Sequence, residues 1–298
     1  MAKRYGTVCA VDGISFEVGI GEFFGFLGPN GAGKTTTVRI LTGVIKADAG
    51  SATIMGYPAG SLTAKQSAGI VPEMANAYAD LSGWQNLMLM SQLYGVPGRE
   101  ARQRASRLLE QMQLLPRKDA LARIYSKGMK QRLILSMALV SDPNVLFLDE
   151  PTSGLDVQSA RLIRDLLREL NGQGKTIFLT THDMDEASEL CHRVAIIRDG
   201  RIAAIDAPEK LKLATSTQHS IEISFETTVP EKVLASLPGV HAVKKTGDKY
   251  RLYTSAPGEA VVSLVETCRS CGLKIVSLNT LAPTLEDAFV ALTGREEK

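Results

Sequence analysis

Four cysteines in 298 residues are too few to staple a disulfide scaffold. Their scarcity points to reduced thiols in a reducing compartment. Long apolar runs are missing as well. The richest stretch, Leu133 to Val140, is interrupted by Ser136 and falls far short of the ~20 residues a spanning helix needs. The opening residues MAKRYGTVCAVDG carry basic side chains but no apolar segment, so no secretory leader is expected. Charge of one sign is lacking too. The 34 Lys+Arg stand against 32 Asp+Glu for a formal net charge of +2, which excludes a strongly basic nucleic-acid binder but leaves room for a local basic patch. Internal repeats and low-complexity tracts are absent. These absences predict a soluble, intracellular chain that another chain would have to hold at any membrane.

What is present is ordinary globular composition, 44% hydrophobic and 22% charged. At roughly 150 residues per domain the length suggests about two domains. The pattern VDGISFEV (Val11 to Val18) alternates like a strand, FFGFL (Phe23 to Leu27) suits a buried strand, and Ser51 to Met55 suits another. Residues from about 75 to 140 are expected to be mostly helical, with one helix around Trp84 to Met90, a second over Arg99 to Leu115 and a third over Lys127 to Val140. Strand and helix then alternate: Val145 to Leu148, Ser159 to Leu170, Thr176 to Thr181, Met184 to Cys191, Val194 to Ile197. Such alternation argues a parallel sheet with covering helices. Past about Leu213 a small polar run, Ala214 to Gln218, is a plausible linker. Strands at Ile221–Phe225, Val240–Lys245, Tyr250–Thr254 and Lys274–Asn279, with helices at Pro230–Leu237 and Gly258–Cys271, then give βαββαβ, a split-βαβ, ferredoxin-like order. A short helix over Thr284 to Leu292 closes the chain. The expected domains are therefore 1–213 (α/β) and 219–298 (α+β).

The strongest chemical signal is GPNGAGKT, Gly28 to Thr35, which matches G-x-x-x-x-G-K-[ST] between an apolar strand and a helix. Glycines let backbone N–H groups turn inward onto phosphate oxygens, and the helix presents its positive N-terminus to the same anion. Gly28, Pro29, Asn30, Gly31, Ala32, Gly33, Lys34, Thr35 and Thr36 are thus expected to bind nucleotide. Lys34 would supply charge to the β- and γ-phosphates and Thr35 a hydroxyl to Mg²⁺. The segment VLFLDEP, Val145 to Pro151, ends an apolar strand in two acids, a costly arrangement unless they meet cations or substrate. Both emerge at the carboxyl edge of the sheet, where open α/β sheets bind ligands. Successive strand residues point oppositely, so the two acids divide the work: Asp149 on Mg²⁺, Glu150 on an attacking water. His182 follows a third strand to the same edge and suits the γ-phosphate and the water.

Between these motifs lies YSKGMKQR, Tyr125 to Arg132, and DEPTSGLD runs from Asp149 to Asp156. Together with the phosphate loop they resemble the nucleotide-binding subunit of ABC transporters, a P-loop NTPase fold with a helical signature subdomain. The resemblance covers residues 1 to about 213. It implies ATP and Mg²⁺ as cofactors and a head-to-tail homodimer in which each ATP lies between the phosphate loop of one copy and the signature loop of the other. It places Ser126 and Gly128 at a partner's γ-phosphate, Gly154, Leu155 and Asp156 in the loop that crosses the dimer, His182 as the switch histidine and Tyr5 on adenine. Three departures stand out. The family's glutamine falls at Glu73, the second signature glycine is Lys127, and only four residues precede Tyr5.

With GRIAAIDAPEKLK (Gly200 to Lys212) and PTLEDAFVALTG (Pro283 to Gly294), the tail is similar to that of exporter-type ATPases. These pair with a separately encoded multi-span permease, many for drugs or antibiotics. The implied protein is an ATPase on the cytoplasmic side of the membrane, peripheral through its permease, with residues from Glu73 to about Gly95 as the docking surface and no nucleic acid as partner. The competing readings are a soluble ABC ATPase acting on nucleic acid or ribosomes, which usually carries two cassettes or a long insertion, and a nucleotide sensor with little turnover. Cys268 and Cys271 form a lone CxxC near a helix end, read as incidental. Arg99, Arg102, Arg104 and Arg107 interleave with Glu100 and Glu110, read as a solvated face.

Overall fold

The computed structural model describes residues 1–73, 76–214, 219–281 and 283–294. The chain divides into two compact units, Met1–Pro208 and Glu209–Lys298.

The first unit opens with β1 (Lys3–Tyr5), β2 (Val8–Val11), β3 (Phe23–Leu27) and α1 (Lys34–Leu41), followed by β4 (Thr53–Ile54), β5 (Tyr57–Pro58), α2 (Leu62–Gln66) and β6 (Ala68–Val71). Three longer helices come next: α3 (Gly83–Leu93), α4 (Gly98–Gln111) and α5 (Lys127–Leu139). The alternating part is β7 (Val145–Asp149), α6 (Val157–Gly172), β8 (Thr176–Thr181), α7 (Met184–Leu190), β9 (Arg193–Arg198) and β10 (Arg201–Asp206).

Six strands form the main sheet in the order β10-β9-β3-β8-β7-β6. All pairs are parallel except β9 with β10. Every residue of β3, β7 and β8 is buried, as expected of central parallel strands covered on both faces. Aromatic rings fill the space under the sheet: Phe178 stands 5.8 Å from Phe24 and 5.7 Å from Phe147, centroid to centroid.

Several sequence expectations need correction. The alternation Val11 to Val18 is not a strand. Only β2, which ends at Val11, pairs, and it pairs with β1. Ile14, Phe16 and Val18 do point inward and pack on the core, but no neighbouring strand offers them a ladder. Ser51 to Met55 shrinks to β4, because Met55 (φ 51°) and Gly56 (φ 80°) turn the chain straight into β5, a two-residue hairpin with both central φ positive. The strand that sequence reasoning left out at the N-terminus is β1, and Tyr5 is its last residue.

Helices α3, α5, α6 and α7 each start on a side-chain cap, whereas α4 follows Pro97 without one. Ser82 and Gln85 form a capping box at α3, while Ser126, Asp156 and Asp183 cap α5, α6 and α7. Arg104 departs from the expected solvated face of α4: it donates to the Val140 carbonyl (3.0 Å) and to Glu100 (2.6 Å).

The second unit contains most of α8 (Pro208–Ala214), so the division stands at the start of this helix. The expected linker lies outside the described residues past Ala214. Then come β11 (His219–Phe225), α9 (Glu231–Ala235), β12 (Val240–Thr246), β13 (Lys249–Thr254), α10 (Pro257–Ser270), β14 (Ile275–Leu281) and α11 (Leu285–Thr293). Strand order β12-β13-β11-β14, with every neighbour antiparallel, is the split-βαβ arrangement that the pattern predicts. Ile221, Ile223, Leu252 and Leu264 form its core with Tyr250, whose hydroxyl donates to the Val229 carbonyl at 2.7 Å.

Candidate nucleotide-binding and hydrolysis site

Strands β3, β8 and β7 lie side by side and parallel, so the loops that leave their carboxyl ends meet at one edge. The loop after β3 is Gly28 to Gly33, and α1 begins at Lys34. Two of its glycines are required by close approach. Gly33 has φ 105°, and a Cβ there would stand 2.3 Å from the Ala10 carbonyl oxygen of β2. A Cβ on Gly28 would stand 2.3 Å from the Ile197 carbonyl oxygen. The Ala10 carbonyl also abuts Gly200, where a Cβ would approach it to 3.0 Å. Strand β2 is therefore laid against the phosphate loop, with β1 paired to it. Tyr5 itself is 48% exposed, with Lys3 Nζ 5.7 Å from its ring centroid.

Lys34 is buried. Its Nζ donates to the carbonyls of Gly28 (2.6 Å) and Pro29 (3.3 Å) and stands 3.1 Å from Glu150 Oε1. Ala32 is buried and Thr35 and Thr36 are half-buried, whereas Asn30 and Gly31 face solvent. The two acids do divide, but not through strand alternation. β7 ends at Asp149, and Glu150 adopts φ 53°, a left-handed conformation that costs a non-glycine residue about 1–3 kcal/mol. Asp149 stays buried and accepts a hydrogen bond from the Thr180 hydroxyl. The Glu150 N–H donates to the Thr180 carbonyl (3.1 Å) and hydroxyl (3.2 Å). Glu150 Oε2 meets His182 Nδ1 at 2.6 Å. Glu150 is thus held between an ammonium and an imidazole, with its side chain 7% exposed while that of His182 is 53% exposed.

The signature residues form a second group. Ser126 caps α5 by accepting from Met129 N–H at 3.2 Å. A Cβ on Gly128 would meet Ser159 Oγ at 2.4 Å and Asp156 Oδ2 at 3.3 Å, and one on Gly154 would meet Lys127 Nζ at 2.3 Å. The N–H and hydroxyl of Ser159 hold the Asp156 carboxyl below the usual carboxylate range. Among the described residues these groups make no hydrogen bond or ion pair with Lys34, Glu150 or His182. Glu73 is exposed, two residues past β6. Sequence reasoning missed Thr180, which binds both acids. The hydroxyls closing TIFLTT were the available signal, since a buried threonine at a strand end needs a partner.

A glycine-rich loop between a parallel strand and a helix, with two carboxylates and a histidine arriving at the same sheet edge, defines a P-loop nucleotide hydrolase. Residues 11–153 match the family described as ABC transporter. The chain is 40% identical to the Nod factor export ATP-binding protein I of a Rhizobium species and 41% identical to that of Burkholderia pseudomallei, in each case over 99% of this chain and 95% of the relative. Among solved structures it is similar to an ATP-binding subunit of an ABC transporter (TM-score 0.67, 27% identity, 72% of this chain and 90% of that one). It is also similar to a dimeric ATP-binding cassette in a post-hydrolysis state bound to ADP and Pi (TM-score 0.62, 26% identity, 69% of this chain and 94% of that one). The chain belongs to the ATP-binding proteins of ABC transporters: it binds and hydrolyses ATP as the subunit of a transporter. No helix among the described residues is long and apolar enough to cross a membrane.

Proposed function

We propose that this subunit powers the export of a small molecule, drug- or antibiotic-like in class, through a separately encoded multi-span permease. It would work as a head-to-tail pair of copies on the cytoplasmic face of the membrane. The observation that carries the hydrolytic part is the placement of Glu150, 3.1 Å from Lys34 Nζ and 2.6 Å from His182 Nδ1. The relatives named for Nod factor export support the direction of transport.

The N–H groups of the phosphate loop and the N-terminus of α1 receive the phosphates. Lys34 turns its ammonium from the loop carbonyls to the β- and γ-phosphate oxygens. The Thr35 hydroxyl and the Asp149 carboxylate are hard oxygen donors of the kind Mg²⁺ takes, with water and phosphate completing its shell. When bound, the ion neutralises charge developing on the transferred phosphoryl group. Glu150 orients the attacking water and takes its proton. His182, fixed through Nδ1, presents its other ring nitrogen toward the γ-phosphate. Ser126 and Gly128 of each copy close over the nucleotide of the other. Tyr5 offers its exposed ring to adenine, and Glu73 would supply a further oxygen donor to the metal's water.

Glu150→Gln keeps the shape and removes the base. The expected loss of turnover is about 10²- to 10⁴-fold, with ATP still bound and a stable dimer accumulating on size-exclusion chromatography. Full wild-type turnover in this variant would overturn the base assignment. A wild-type rate strictly linear in protein concentration, from a proven monomer, would overturn the shared site. Tagged Glu150→Gln recovered from detergent-solubilised membranes with Mg-ATP should carry a multi-span protein, identified by mass spectrometry. Recovery with ribosomes or soluble partners alone would overturn the transport role.

A further inference from the structure

Three charged residues are buried as a whole among the described residues: Lys34, Asp149 and Glu186. The first two belong to the phosphate site. Glu186 does not touch it. It lies on the first turn of α7, the helix that starts two residues after His182, and is 1% exposed. Its Oε1 accepts a hydrogen bond from the Thr152 hydroxyl at 2.7 Å, and its Oε2 is buried with no hydrogen-bond partner. A buried carboxylate in this condition costs free energy, and packing alone gives no reason to keep it.

Both ends of the contact lead to the reacting groups. Thr152 lies two residues after Glu150, in the turn closed by Ser153 N–H on the Glu150 carbonyl (3.2 Å) and Leu155 N–H on the Thr152 carbonyl (3.2 Å). On the other side, the Glu186 N–H donates to the capping Asp183 (3.0 Å), and the Asp183 N–H donates to the Thr181 hydroxyl (3.0 Å), next to His182. The bond between Thr152 and Glu186 therefore adds a second link, beside the Glu150–His182 contact, between the loops that carry those two residues. Glu150 is in a left-handed conformation and needs such outside restraint to persist.

We propose that Glu186 is a positioning residue for hydrolysis: by gripping Thr152 it holds Glu150 at the distance from His182 that the reaction requires. The inference rests on the reading of Glu150 as the group that activates water. Burial, the dominant effect, raises the Glu186 carboxyl pKa, partly offset by the Thr152 hydroxyl.

The test measures kcat and KM for ATP per folded molecule in Thr152→Val, Thr152→Ser, Glu186→Ala and Glu186→Gln, beside Glu150→Gln. Thr152→Val is nearly isosteric and keeps the assay usable if Glu186→Ala does not fold. Thr152→Val should lower kcat about ten- to a hundred-fold with KM within about twofold, because the phosphate loop is untouched. Thr152→Ser keeps the hydroxyl donor and Glu186→Gln keeps an acceptor oxygen, so both should retain most of the rate. The pair Thr152→Val with Glu186→Ala should lose little more than either alone. Wild-type kcat in Thr152→Val, or equal losses in Thr152→Val and Thr152→Ser, overturns the positioning role. If Glu150→Gln is inactive while Thr152→Val is normal, only this inference fails. If Glu150→Gln is fully active, the reading beneath it fails.

Discussion

At the scale of single residues, the phosphate loop tolerates little change, for steric reasons before chemical ones. Gly33→Ala would place a methyl group 2.3 Å from the Ala10 carbonyl oxygen at φ 105°. The left-handed backbone alone costs an L-residue about 1–2 kcal/mol, and the clash adds to it. This variant should melt lower than wild type and bind a fluorescent ATP analogue markedly more weakly; unchanged melting and binding would contradict the described loop. The residues proposed to carry this chemistry were legible in the sequence because their motif has fixed spacing: Gly28 to Thr35, then Asp149, Glu150 and His182 at strand ends. What was not legible is how the acids separate. Strand alternation leads one to expect the two side chains to part, but they part through a left-handed Glu150, which cannot be read from VLFLDEP. Thr180 and Thr152 escaped notice because a threonine carries no motif, and its partner is decided only when strands are laid side by side.

At the scale of elements, legibility followed burial. The fully buried strands β3 and β8 fall where FFGFL and TIFLTT place them, and α5 begins where Ser126 caps it. The misjudged segments are those whose pattern is satisfied without pairing, such as Ile14, Phe16 and Val18. Helix α7 yields a prediction of its own. Burial raises the Glu186 carboxyl pKa above its usual 4.5, so between that value and the folded-state value the native protein binds more protons than the unfolded chain. The contribution of this group to stability is full below about pH 4.5 and is lost as pH rises through the folded-state pKa. Glu186→Gln does not titrate. The melting temperature of Glu186→Gln minus that of wild type should therefore be greater at pH 8 than at pH 4.5, by differential scanning fluorimetry in matched buffers. A difference that does not change with pH would contradict the buried, ionisable state.

At the scale of the whole molecule, each of the two units has its own core, and the proposed nucleotide site lies in the first. Calorimetry should resolve two transitions, of which Mg-ATP raises one; at a hundred-fold excess over Kd the gain is about 2.7 kcal/mol. A single transition shifted as a whole would show that the units unfold together. The four cysteines are all free and give a second check. Cys191 and Cys268 are buried, their thiols pushed upward in pKa mainly by that burial, while Cys271 is exposed. Maleimide should label Cys271 within the native protein and reach Cys191 only on unfolding; fast native labelling of Cys191 would contradict its placement. One feature of the first unit also bears on how such a sequence can diverge. The carbonyl of Ala10 limits the space at both Gly33 and Gly200, far apart in the chain. A drift of that strand that admits a side chain at one of them alters the room at the other. These two positions are therefore expected to be epistatic: a deep mutational scan of double variants should find tolerance at Gly200 conditional on the residue at Gly33, and independent effects at the two would contradict the shared carbonyl.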